Sequence, residues 1–249
     1  GRQLLLVHGG ASNHTRWSEF AEQTRLAGNW QLLAPDMRGN GETMTRGRQD
    51  LATWCSDLAD VLDAEGAEKP VVAGHSLGAQ IALHFADRYP DRARGLVLVD
   101  PVFQSSLQGR ERRLYRFRGP WKGLIAAVLL ANRLGLRRRQ FPPRDLRELD
   151  RETRERIKGA DSFEAIEREY RALGPILRYM PTANYLRQVL ETVQPLPPLD
   201  TIDVPVLVLL SGGTTLASIE QNRRECEAFP DREVVVLHLA LEGGVFGVH

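Results

Sequence analysis

Glycines 74 and 78 bracket a serine in V-V-A-G-H-S-L-G-A-Q, residues 71 to 80, where a short aliphatic run gives way to helical spacing. A serine on a sharp strand-to-helix turn has its hydroxyl lifted clear of the sheet edge. Small neighbours are needed there because strand and helix pass close together. The chemistry open to Ser76 is nucleophilic attack on an acyl carbon, and the backbone N–H of Leu77 would point into the same space from a helix N-terminus. A second donor is expected from H-G-G-A-S-N, residues 8 to 13, where the N–H of Gly10 lies in a glycine-softened turn after an apolar strand. Together Gly10 and Leu77 would hold a developing oxyanion. Either motif alone is compatible with an ordinary tight turn; both following strands, in this order, favour the chemical reading.

Such a constellation needs a sheet to hold it. Residues 4–7, 32–35, 71–74, 95–99 and 204–210 are short, aliphatic and non-alternating, as in parallel strands covered on both faces. Helical patterns separate them. Leu51, Cys55, Leu58, Val61 and Leu62 share one helix face, with Asp50 as cap and Gly66 near the stop, and Leu77, Ile81 and Phe85 form another stripe that ends before Pro90. The alternation predicts an α/β fold with a doubly wound, mostly parallel sheet, and ligands beyond the carboxyl ends of its strands. It stops near Phe103 and resumes near Leu199, so the expected division is a core of residues 1–102 and 199–249 and a helical cap of residues 103–198.

The inserted stretch is rich in arginine, as in R-E-R-R-L-Y-R-F-R, L-R-R-R-Q and D-L-R-E-L-D-R-E-T-R-E-R. Most of these arginines alternate with acids at spacings that allow helical ion pairs, which favours a solvated face over an acidic ligand. P-L-P-P-L at 195–199 reads as a stiff return to the sheet. Trp121, Tyr179 and Met180 are candidates for a substrate pocket, with His14 at its entrance, although apolar residues at helical spacing are more often core.

The gross numbers narrow the classes. With 249 residues and 42% apolar content, the chain can bury one large core. Lys and Arg total 33 against 32 Asp and Glu, a balance that predicts neither nucleic acid nor a charged membrane as partner. Cys55 and Cys226 lack metal-ligand or redox spacing and read as reduced thiols of a cytoplasmic protein. No apolar run approaches the roughly 20 residues of a membrane span, and no leader pattern opens the sequence.

The sequence resembles the α/β-hydrolase family. The resemblance rests on L-L-L-V-H-G-G-A-S, A-P-D-M-R-G-N-G-E-T, A-G-H-S-L-G, G-L-V-L-V-D-P and P-V-L-V-L-L-S-G, and covers essentially the whole chain. Asn40 and Thr43 depart from the commoner R-G-H-G-x-S form of the second of these motifs. The family usually has further strands before the H-G-G loop and a helix after the last strand; neither is seen, which implies a piece of a longer chain. The resemblance implies a serine hydrolase in which a histidine activates Ser76 and a carboxylate orients the histidine. The usual acid position holds Thr215, so the acid is expected at the family's second position, Asp100, in competition with a simple turn-capping role. Val245 stands where the usual histidine would be. The base expected is therefore His249, ahead of His238, while His8, His75 and His84 are expected to be structural.

The implied activity is cleavage of a small ester, lactone or related acyl compound, with a small-molecule substrate and no metal or organic cofactor. Two rivals stand beside it: an impaired member that binds a hydrophobic small molecule under the cap, and a protein-interaction module carried by the arginines. Dehalogenase and epoxide hydrolase activities are disfavoured because the corner residue is serine and not aspartate. The sequence leaves the oligomeric state open.

Overall fold

The computed structural model describes residues 1–107, 109–158, 173–211, 218–238 and 247–248. Strands β1 (Arg2–Val7), β2 (Trp30–Leu33), β3 (Val71–His75), β4 (Gly95–Val99), β5 (Val206–Ser211) and β6 (Arg232–His238) form one parallel sheet. Their order is β2-β1-β3-β4-β5-β6, and the two-residue β7 (Gly247–Val248) pairs antiparallel with β6. The chain steps from β1 outward to β2, then returns past β1 to β3. That reversal opens a crevice between β1 and β3 at their carboxyl ends, where Val7 and Gly74 are in register.

Strand limits differ from the aliphatic runs for backbone reasons. β1 begins at Arg2 because Arg2 and Gln3 pair with Trp30 and Gln31 whatever their side chains, while β2 stops before Pro35, which has no N–H to donate. Helix α1 (Ser18–Gln23) follows β1, and α2 (Leu51–Ala64) and α3 (Leu77–Arg88) cover one face of the sheet. Asp50 caps α2 by accepting from Thr53 N–H at 2.8 Å, and Gly66, at φ 61°, closes it. The buried stripe of α2 includes Trp54, which the sequence pattern passed over, while Val61 is only half-buried. Between that stripe and the sheet lies the main core, with Leu5, Val7, Leu83, Phe85, Leu96 and Leu98 nearly inaccessible. Both cysteines are buried and unpaired there, and burial pushes each thiol up to about 12. Among the described residues, no helix is long and apolar enough to cross a membrane.

Between β4 and β5 the described chain is helical: α4 (Gly109–Arg116), α5 (Arg118–Arg133), α6 (Leu146–Lys158), α7 (Leu173–Tyr179) and α8 (Thr182–Thr192). Helices α5 and α8 meet through Ile125, Leu186 and Leu190. The other face of α8 is polar and docks on the loop that precedes α2. Asn184 Nδ2 donates to Gly39 and Thr45 carbonyls at 3.0 and 2.8 Å, and Glu191 accepts from Leu51 N–H at 3.1 Å. Asn184, Gln188 and Glu191 fall at i, i+4 and i+7, so one helix face carries all three. Helix α9 (Ile219–Cys226) then joins β5 to β6, capped by Ser218.

Candidate active site

β3 ends at His75, and the next residue, Ser76, adopts φ 53° and ψ −115°. A residue with a side chain reaches that conformation only under constraint from its surroundings. The constraint is visible on both sides. A Cβ on Gly74 would lie 2.2 Å from Gly78 O, and one on Gly78 would lie 2.2 Å from Val7 O, so strand, turn and helix pack backbone against backbone. Ser76 N–H donates to Val99 O at 2.9 Å, and Ser76 O accepts from Ala79 N–H at 2.9 Å to begin α3. Leu77, the first residue of that helix, presents an N–H with no intrahelical acceptor, at the positive end of the helix dipole. Among the described residues, Ser76 Oγ has no hydrogen-bond partner.

A second corner stands beside the first. Asp100, directly after β4, has φ 47°, and its N–H donates to Leu209 O at 2.8 Å. Its carboxylate accepts from Ser211 N–H at 2.6 Å and from the Ser211 hydroxyl. The end of β5 therefore fixes the direction of this carboxylate. Ser76 and Asp100 line one cavity of about 340 Å³, together with Gly10, His75, Arg16 and Asn222. Asn222 is 6% exposed, and its side-chain carbonyl is buried without a partner among the described residues. It enters from α9, an element that the sequence pattern did not single out.

The loop after β1 is held by buried polar groups. His8 Nδ1 lies 2.8 Å from Gly9 O and can only donate, while its Nε2 accepts from Met37 N–H at 3.0 Å. Both nitrogens are thus occupied by the neutral ring, and burial lowers its pKa to about 4. Burial also lowers the pKa values of His75 and His84. Gly10 lines the serine cavity, and Ala11, at φ 50°, donates its N–H to Gln188 Oε1 at 2.7 Å. Gln188 Nε2 in turn donates to Asn40 Oδ1 at 3.0 Å. The departure at Asn40 therefore has a partner of its own, a buried glutamine on α8, 148 residues later in the chain. Thr43 Oγ1 sits 3.0 Å from the carbonyls of Asp36, Met37 and Asn40, closing the same turn.

A larger cavity of about 680 Å³ adjoins the first, sharing Ala11, Ser12, Arg144 and Ile176 with it. His14, Tyr179 and Met180 line this cavity. Trp121 does not; it packs on α5 against the Ile125–Leu186–Leu190 cluster and contributes to core. The His14 ring contacts Asp36 at 2.9 Å. Burial alone would raise the Asp36 pKa, but hydrogen bonds from the Glu42 and His14 N–H groups and the His14 ring outweigh it and lower the value. Arg144 reaches this place from the loop before α6, donating to Ala11 O at 3.1 Å and lying 5.1 Å from the Tyr179 ring centre. No signal in the sequence distinguishes Arg144, Gln188 or Arg16 from their neighbours. His249, Thr215 and Val245 lie outside the described residues, and His238 is the last residue of β6. No group of three or more His, Cys, Asp or Glu that could hold a metal ion occurs among the described residues.

Comparison with known proteins agrees with this architecture. A 2-hydroxy-6-oxo-2,4-heptadienoate hydrolase of Pseudomonas putida is 33% identical over 105 residues, 41% of this chain and 38% of that protein. Protein phosphatase methylesterase 1 of Bos taurus is 33% identical over 108 residues, 41% of this chain and 28% of that protein. In sequence, the chain spans only 28–38% of the length of these curated relatives. A thermophilic esterase from Thermogutta terrifontis superposes with a TM-score of 0.66 at 22% identity, covering 96% of this chain and 81% of the esterase. These two relatives and this structural neighbour are named as a hydrolase, a methylesterase and an esterase. With a family model for the alpha/beta hydrolase fold matched across residues 3–240, the chain belongs to the α/β-hydrolase fold family.

Proposed function

We propose that the protein is a serine hydrolase that cleaves a small ester, lactone or related acyl compound through an acyl-enzyme at Ser76. One observation carries this reading: Ser76 is held at φ 53° and ψ −115° between Gly74 and Gly78 and opens onto a cavity that it shares with Asp100. Strain of this kind persists where the surroundings over-determine it, and here it delivers a hydroxyl beside a helix N-terminus.

In the proposed cycle a base removes the Ser76 proton as Oγ attacks the carbonyl carbon. The N–H groups of Leu77 and Gly10 hold the oxyanion of the tetrahedral intermediate. As the intermediate collapses, the base returns its proton to the leaving group. Water, activated by the same base, then releases the acid and restores the serine. We assign His249 as base and Asp100 as the carboxylate that orients it; the donors at Ser211 leave Asp100 acceptor capacity for an imidazole. The helices of residues 103–198 act as a cap over the site, and His14, Tyr179 and Met180 contact substrate in the adjoining cavity. The cycle calls on no metal or organic cofactor.

Reaction with a fluorophosphonate, followed by intact mass, tests this directly because only an activated serine is labelled. The expected result is one adduct in the parent and none in Ser76→Ala or His249→Ala, with ester turnover falling by at least about 10³ in both. A parent that stays unlabelled and turns over no ester defeats the reading and favours a binding protein built on the same fold.

A further inference from the structure

Several arginines elsewhere on this molecule pair with carboxylates. On α6, Arg147 pairs with Glu22 and Arg154 with Glu19, and on the sheet side Arg38 pairs with Asp57. Around the larger cavity stands a group that does not. Arg46, Arg138, Arg139, Arg178 and Arg187 form no ion pair among the described residues. Backbone bonds gather four of them: Arg46 donates to the carbonyl of Arg138, Arg138 to that of Arg178 at 3.1 Å, and Arg187 to those of Arg46 and Gly47.

Aromatic rings lie beside three of these guanidinium groups. Arg46 and Arg138 lie 5.6 and 5.7 Å from the Phe141 ring centre, and Arg178 lies 5.9 Å from that of Tyr179. Stacking engages the face of a guanidinium and leaves its in-plane N–H groups available for an oxyanion. Arg46 and Arg139 line the cavity, and Arg46 Nε is buried without a hydrogen-bond partner among the described residues. An unsatisfied donor on a charged group is costly, and an anion is the partner that best relieves it.

The acids that line the same cavity are largely engaged. Asp36 is held by His14 and by the N–H of Glu42, and Asp145 accepts from the N–H groups of Arg147 and Glu148 at the start of α6. Glu42 is exposed. A concave wall with unmatched positive charge concentrates anions.

Resting on the serine-hydrolase reading, we propose that the larger cavity selects substrates whose end remote from the scissile bond carries a carboxylate or a phosphate, with Arg46 and Arg139 as the binding residues. The reacting carbonyl sits at Ser76. The anionic end passes the shared wall at Ala11, Ser12 and Arg144 into the larger cavity. Recognition here is of the oxyanion, and the length of the linking chain decides which substrates reach both cavities.

The test compares p-nitrophenyl butyrate with two esters of matched acyl length, p-nitrophenyl hydrogen glutarate and p-nitrophenyl 4-(phosphonooxy)butyrate. The parent should favour a charged ester over butyrate by about tenfold or more in kcat/KM at low salt, through KM, and the preference should shrink as salt rises. In the double variant Arg46→Gln, Arg139→Gln the charged-to-neutral ratio should fall to near one. Whichever charged ester leads identifies carboxylate or phosphate as the natural group. Equal use of neutral and charged esters by the parent, or a preference that survives in the double variant, overturns the proposal while leaving the hydrolase reading intact. If no ester is turned over and the fluorophosphonate does not label, the hydrolase reading fails, and calorimetric titration with glutarate and propyl phosphate decides the anion site. Binding that is lost in the double variant sustains it, and no binding by the parent ends it.

Discussion

The serine corner and the arginine-lined wall adjoin each other, yet they are built by opposite means. At the corner, backbone meets backbone: Gly74, Gly78 and Val7 approach so closely that no side-chain carbon fits. At the wall, long side chains arrive from three separated stretches, around residues 46, 137–144 and 176–188, and are held by stacking and carbonyl bonds. The corner is rigid and intolerant of substitution. The wall can exchange residues with little effect on folding, which on the proposed reading suits it to choosing substrates.

The sharpest way to break this contrast is Gly78→Ala. Its new methyl would fall 2.2 Å from Val7 O and 2.8 Å from His8 O, both main-chain atoms that cannot swing aside. The expected loss is about 4 kcal/mol or more, or failure to fold, read by chemical denaturation. A variant as stable as the parent would show that the corner yields, and the contrast would dissolve.

Next in size is the response to acid. The His8 pKa is about 4 in the fold, against about 6.5 in an unfolded chain. Between those values the unfolded state holds the extra proton, so stability falls as pH drops through this window, by up to about 3 kcal/mol. Denaturation series from pH 7 to 4.5 should show the decline, and His8→Gln should flatten it. Flattening will be partial, because burial lowers His75 and His84 in the same direction. An unaltered slope in His8→Gln would mean that the neutral ring is not what secures this loop.

Gln188→Ala sits between corner and wall and carries a smaller effect. It leaves the Ala11 N–H and Asn40 Oδ1 without their partners, at a cost of about 2 kcal/mol. Loosening Ala11 should also slow fluorophosphonate labelling of Ser76, which gives a kinetic readout beside the stability measurement. Unchanged labelling would show that α8 merely rests on the loop and does not tune it.

The corner was readable in advance because its cause is local. Gly74, Ser76 and Gly78 lie within five residues, and strand-turn-helix geometry with only small residues beside the serine has few solutions. The strands were readable for a similar reason, since aliphatic runs report burial on both faces. The wall was not. L-R-R-R-Q resembles the other arginine-rich runs in composition, yet Arg147 and Arg154 found carboxylates across space, whereas Arg138 and Arg139 found none among the described residues. Trp121 and Tyr179 looked alike as pocket candidates, and packing sent one into the α5–α8 cluster and the other to the cavity. Asn40 read as a departure from a motif until Gln188 was seen to complete it.

By itself, then, the sequence determined the parallel sheet, the switch from strand to helix at Ser76 and the position of Asp100 at the end of the next strand. Those depend on residues a few positions apart and on backbone sterics, which act at short range along the chain. Only the tertiary structure decided which arginines keep unmatched charge, which aromatic rings face the cavity and which helix locks the loop after β1. Those depend on side chains brought together over more than a hundred residues, such as Ala11 with Gln188, a distance at which spacing along the chain carries no information.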